Sequence, residues 1–144
     1  MPVIAMIIIC ALFYAAFEIF AGLAGGKVNS WLAAALYNGI GTVIPLIVYF
    51  ATTAKGKTTL KGVILASLAG ISIMLFSVLL ANIFNKGGNL SYVIPTIYGT
   101  AILISSLYGL FILKDKVTAL EVVGLVLVVF GVTLIALSRH KFST

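Results

Sequence analysis

The chain has 144 residues, of which 62% are hydrophobic and only 8% are charged, with a net charge of +6. Its mean hydropathy is +1.27. An average soluble domain carries roughly 25% charged residues as a hydrated coat, so this composition excludes a cytosolic enzyme, a disulfide-stapled secreted domain and a disordered tail.

What remains is an all-α integral membrane protein, one domain over residues 1–144. The nine basic residues fall in short clusters between apolar runs. That pattern reads as interfacial anchoring against the lipid bilayer, not as a nucleic-acid surface. Cys10 is the single cysteine, so no disulfide is expected, and His140 has no second ligand near it in sequence. No metal or cofactor is expected.

A membrane-spanning helix needs about 20 mostly apolar residues. Five stretches qualify. The first runs from Val3 to Ala24. It lacks a basic leader and is too long for a signal-peptide core, so it reads as a retained span. Tyr14, Glu18, Gly22 and Gly25 share one helical face by their spacing. Phe13, Phe17 and Phe20 fall on another face, expected to meet lipid or packed helices. Residues Gly25 to Ser30 form a turn, with Ser30 as the candidate N-cap.

The second span runs from Trp31 to Ala54 and carries the stripe Asn38, Thr42, Pro45 and Tyr49. A basic turn, Lys55 to Thr59, follows, with Thr58 and Thr59 as cap candidates. The third span, Leu60 to Phe84, carries Ser67, Gly70, Met74 and Ser77. Asn85 to Asn89 reads as the most flexible segment, with Gly87 and Gly88 free to take positive φ. The fourth span, Tyr92 to Leu113, presents Pro95, Tyr98 and Ser105 behind Ser91. The link Lys114-Asp115-Lys116 is short enough to make the fourth and fifth helices antiparallel neighbours, and Asp115 is expected to pair with its lysines.

The fifth span runs from Val117 to Ser138. Thr118 and Glu121 read as a capping box, which accounts for that carboxylate without a ligand. Gly124, Val128, Gly131 and Ile135 form a glycine-notched ridge suited to close helix approach. It serves either a dimer interface or packing within one chain.

Loop charge gives little direction. Lys27, Lys86, Arg139 and Lys141 fall on one side; Lys55, Lys57, Lys61, Lys114 and Lys116 fall on the other. Four against five leaves the positive-inside rule almost nothing to act on. The chain either inserts with a weak bias toward a cytoplasmic N-terminus or adopts dual topology and pairs with an inverted copy.

Glu18 is the one formal charge well inside a span. It lies roughly 7 Å from the midplane of a core about 30 Å thick. A bare carboxylate there costs several kcal/mol. It has two escapes: it takes a proton, or it holds a cation. The competing reading is a protonated side chain that merely bonds a neighbouring helix. Tyr14, Asn38, Thr42, Tyr98 and Ser105 are the residues expected to join it around a polar cavity, where tyrosine faces attract organic cations. Small and hydroxyl residues also serve ordinary helix packing, which is the alternative for each of them.

The segment Leu113-Lys114-Asp115-Lys116-Val117-Thr118-Ala119-Leu120-Glu121-Val122-Val123-Gly124 resembles the helix-four-to-five link of the drug/metabolite transporter superfamily. Gly124 to Val132 continues it and is similar to the dimerising last helix of small multidrug resistance proteins. Five spans in one short chain, Phe13-Tyr14, and Ser91 through Pro95 opening the fourth span fit the five-helix, EamA-like unit. The resemblance covers nearly the whole chain through short, apolar motifs. It implies a transporter, and a lone five-helix unit implies an antiparallel homodimer. It also implies exchange of protons for cationic compounds through a carboxylate in the first helix, for which Glu18 is similar in kind. Glu18 stands about one turn nearer the first loop than the family pattern; Tyr14 holds the matching level. Asp115 stands where the family usually has Glu, and Lys114 replaces its Gly.

The expectation is therefore a multi-pass protein of the cell (inner) membrane, not an enzyme, that exports small organic, cationic compounds in exchange for protons. An exporter or flippase of a neutral metabolite or lipid-linked sugar, and a non-transporting membrane helper subunit, are the alternatives.

Overall fold

The computed structural model describes residues 3–52 and 58–140; Lys55, Lys57 and Lys141 of the charge balance lie outside the described residues. Five α-helices follow one another: α1 (Val3–Ala24), α2 (Ser30–Ala51), α3 (Leu60–Asn85), α4 (Leu90–Tyr108) and α5 (Ala119–His140). α4 continues into a π-helical turn at Gly109–Leu113. Four of these are long and apolar enough to cross a membrane: α1, α2, α3, and α4 with its π turn. Among the described residues α5 contributes a shorter apolar stretch. Its apolar part is Ala119–Ile135, about 25 Å at 1.5 Å per residue. The four long apolar helices make this a multi-pass membrane protein.

The chain divides into two compact units, residues 1–88 and 89–144. In the first, α1 and α2 both pack on α3. α1 ends where Gly26 turns left-handed at φ 73°. Asn29, not Ser30, caps α2: its side chain accepts from the Trp31 N–H at 2.9 Å, and its carbonyl takes the Ala33 N–H at 2.8 Å. The Ser30 hydroxyl is instead engaged by Asn85 at 2.9 Å. α2 stops at Ala51, three residues before the expected end at Ala54, which is not among the described residues. Thr59 is the cap of α3, with Oγ1 3.1 Å from the Gly62 N–H.

α3 ends in a Schellman motif. Gly88 N–H donates to the Ile83 carbonyl at 2.9 Å and Gly87 N–H to the Phe84 carbonyl at 3.0 Å. Of the two glycines expected to take positive φ, Gly87 does so, at 83°, which is the left-handed residue this motif uses.

The first unit's core comprises Ala21, Ala33, Ala34, Leu80, Ala81 and Phe84. Four of the six are alanine. In lipid no hydrophobic force drives helices together, so close backbone approach through small side chains supplies the packing. In the second unit Gly99 and Val93 are the buried residues of α4. A Cβ on Gly99 would overlap Val132, so α4 meets α5 through that glycine.

Most hydroxyls in the helices bond back to their own backbone. Thr42 reaches the Asn38 carbonyl at 2.6 Å, Ser67 that of Val63 at 2.9 Å and Thr133 that of Val129 at 2.8 Å. A hydroxyl satisfied four residues back can face lipid without a partner. These residues therefore stay on the helices without knitting them together.

Candidate functional site

Glu18 lies four residues past Tyr14 on α1 and three before Ala21, which is 1% exposed. Glu18 itself is 9% exposed. Among the described residues it makes no hydrogen bond or ion pair. No wholly enclosed side-chain oxygen or nitrogen there lacks a partner, so its unpartnered carboxyl keeps a narrow opening. Lys27 is exposed in the turn past the end of α1 at Ala24 and forms no ion pair with Glu18. A buried acidic group with an opening and no partner is an uncompensated site, which proteins seldom keep without use.

Next to this level the first unit forms an open cavity of about 390 Å³ lined by Cys10, Phe13, Tyr14, Phe17, Tyr37, Asn38, Ile73 and Ser77, of which Cys10, Phe13, Tyr14 and Ile73 are exposed. Phe17 and Tyr37 meet edge-to-face, with centroids 5.4 Å apart and planes at 90°. Tyr14 and Phe17 are tilted at 35° with centroids 6.0 Å apart. Asn38 donates one N–H to the Ala34 carbonyl at 2.8 Å, which fixes its amide and leaves its oxygen for the cavity. Ser77 donates to Ile73 at 2.7 Å. The walls are thus aromatic faces with two fixed polar atoms.

Of the six expected binding residues, the structure brings Tyr14 and Asn38 together here. Glu18 is not part of the lining; it stands one turn beyond Tyr14. Thr42 is exposed on α2, one turn past Asn38, its hydroxyl turned back on the helix. Tyr98 and Ser105 belong to the second unit. Tyr98 is half-buried on α4, and Ser105 is exposed, with its hydroxyl 2.9 Å from the Ala101 carbonyl.

Phe13 is 75% exposed and Phe17 packs against Tyr37 of α2, in keeping with lipid-facing and helix-packing positions, and both border the cavity. Tyr37 was not singled out at all. A signal for Tyr37 exists in the sequence. Ala33 and Ala34 mark the packed face of α2, and Tyr37 and Asn38 follow one turn later on it.

Ser105 lines a second cavity of about 490 Å³, within the second unit, with Ser106, Gly109, Leu110, Asp115, Lys116, Val117, Glu121, Gly124 and Leu125. Glu121 forms the capping box that its spacing predicts. Its Oε2 accepts the Thr118 N–H at 2.7 Å, and its own N–H reaches Thr118 Oγ1 at 3.3 Å. Asp115 shows no ion pair with Lys114 or Lys116; its N–H donates to the Gly109 carbonyl at 3.1 Å. Its Oδ2 lies 2.7 Å from where a Cβ on Gly109 would stand. Lys114 takes a left-handed conformation, φ 57° and ψ 40°.

On α5, Gly124 is exposed while Val128, Gly131 and Ile135 are half-buried. Nothing among the described residues comes within 4 Å of a Cβ placed on Gly124 or Gly131. Val132 is the α5 residue that fills the space beside Gly99.

No family model, curated protein or solved structure matches this chain. The class that the fold defines is a helical membrane protein with four long apolar helices.

Proposed function

We propose that the protein is a proton-coupled transporter of the drug/metabolite type that exports small organic cations. The observation that carries this reading is the unpartnered carboxyl of Glu18, 9% exposed inside a membrane span and one helical turn from an aromatic cavity. Aromatic faces hold a cation at about 0.5–2 kcal/mol each. The carboxyl supplies a counter-charge that is free when the cation is present and neutralised by a proton when it is not. Two ligands that compete for one buried charge are exchanged across a membrane when access alternates.

The left-handed Lys114 adds support to the resemblance, because the family's usual Gly at that place is the residue such a φ favours. The open notches at Gly124 and Gly131 support pairing of two copies through α5, with α5 as a fifth crossing. The near-even loop charge supports an inverted arrangement of the pair.

The test is uptake into proteoliposomes of tetraphenylphosphonium driven by an imposed pH gradient. Glu18→Gln is expected to abolish gradient-driven accumulation; unchanged coupling would eliminate the proton role. A neutral substrate is the second reading, favoured by a cavity lining that holds no formal charge. It predicts that Glu18→Gln leaves the pH dependence intact and changes affinity alone.

A further inference from the structure

Among the described residues, every buried residue of the first unit lies toward one end of it. α1 buries Glu18 and Ala21 near its C-terminus, α2 buries Ala33 and Ala34 in its first two turns, and α3 buries Ser77, Leu80, Ala81 and Phe84 near its C-terminus. That end carries the turn between α1 and α2. Away from it, every residue over 39–52 and 60–75 is exposed, as is every residue over 3–15 except the half-covered Ala5. The three helices close together at the turn end and leave one another uncovered at the other. The aromatic cavity lies at the transition, and Glu18 lies between the cavity and the closed end.

One side chain fastens that end. Asn85, the last residue of α3, accepts the Gly26 N–H on Oδ1 at 2.6 Å and donates from Nδ2 to the Val28 carbonyl and to Ser30 Oγ, both at 2.9 Å. Its amide thus grips three points of the α1–α2 turn. Beneath it Gly25 rests on α3 so closely that a Cβ would stand 2.9 Å from both the Cβ and the carbonyl of Phe84. The remaining closed surface is mostly alanine, with Leu80 and Phe84 as its large members. Shallow surfaces of this kind part without withdrawing deep side chains, so neutral hydrogen bonds hold the join.

We propose that the Asn85 amide is the latch of a gate, holding the turn end shut over Glu18 and releasing it when the opposite end closes. The inference rests on the transporter reading, since a gate has meaning only where access alternates. It makes Asn85 a positioning residue that touches neither substrate nor proton.

The test uses Ala81→Cys, a reporter 3% exposed behind the latch, in a Cys10→Ala background. Adding Asn85→Leu is expected to speed its alkylation by N-ethylmaleimide about tenfold or more, the loss of three bonds being enough to shift a two-state closure that far. Asn85→Asp, which keeps the acceptor for Gly26 and loses both donors, falls between. An unchanged rate in Asn85→Leu overturns the latch. So does an equal rise at Val93→Cys, buried in the second unit, because that reports general loosening. The transporter reading is checked apart from this, by protection of native Cys10 in the cavity with tetraphenylphosphonium. Its absence removes the substrate and leaves the latch measurement readable.

Discussion

Glu18→Leu separates a functional carboxyl from a structural one. A polar group buried without a hydrogen bond destabilises a fold by about 1–3 kcal/mol, even when neutral. Glu18 is 9% exposed and has no partner among the described residues, and its carboxyl keeps an opening, so that penalty stands in part. Leucine is close in size and removes it. The variant is therefore expected to gain stability, at most about 1–3 kcal/mol or roughly 3–9 °C for a chain of this length, as stability is commonly spent at functional sites. Heating in detergent followed by size-exclusion chromatography gives the midpoint. The same preparation, reconstituted, is expected to lose pH-driven accumulation of tetraphenylphosphonium at least tenfold. A drop in midpoint would refute the reasoning, since it would show that the carboxyl holds the helices together.

Tyr37→Leu removes one aromatic wall and is expected to weaken binding of the cation about 2- to 30-fold by equilibrium dialysis, whereas Tyr37→Phe keeps most of it. Gly99→Ala forces a methyl into Val132 and is expected to destabilise the chain by about 1–3 kcal/mol; Val132→Ala in the same chain restores it, and a cycle showing no coupling would disprove the contact. Lys114→Gly relieves a left-handed side chain and is expected to stabilise by about 1 kcal/mol in the same heating assay. Gly131→Cys in a Cys10→Ala background tests the α5 ridge: copper-phenanthroline oxidation in native membranes is expected to yield a disulfide-linked dimer, and a chain that stays monomeric under oxidation would count against pairing there.

The sequence carried the helices better than their faces. Val3–Ala24 stands as its apolar run predicts, because length and hydropathy are properties of the chain alone. The ends moved where a side chain chose between two caps. Asn29 reaches Trp31 N–H ahead of Ser30, and Thr118 with Glu121 moves the start of α5 to Ala119. Faces were harder, because α1 is apolar all round. On such a helix a cavity wall and a lipid-facing residue are the same chemistry. Phe17 is told apart from the largely exposed Phe13 and Phe20 only by Tyr37 standing across from it. The hydroxyl stripes misled for a related reason. A serine or threonine satisfied on its own helix looks in sequence like one that lines a polar channel, and Thr42 is the clearest case. Asn85 was hidden differently: it sits in a polar turn, where an asparagine draws no notice until its partners 55 to 59 residues away are seen.

Glycine use in the second half of the chain follows from the same physics. Gly99 is consumed inside the chain, where Val132 occupies the space a side chain would need. Gly124 and Gly131 are seven residues apart, two turns along one face, and a Cβ on either would have no atom of the described residues within 4 Å. A notch earns its backbone entropy only if another surface enters it. Lipid tails are mobile and fill a notch poorly, whereas a second helix fills it with ordered contacts. Within one chain α5 already has its partner through Val132, one residue past Gly131 and so turned roughly 100° from it. One face of α5 therefore joins α4 through Val132, while Gly124 opens onto the cavity that α5 shares with Ser105 and Ser106 of α4.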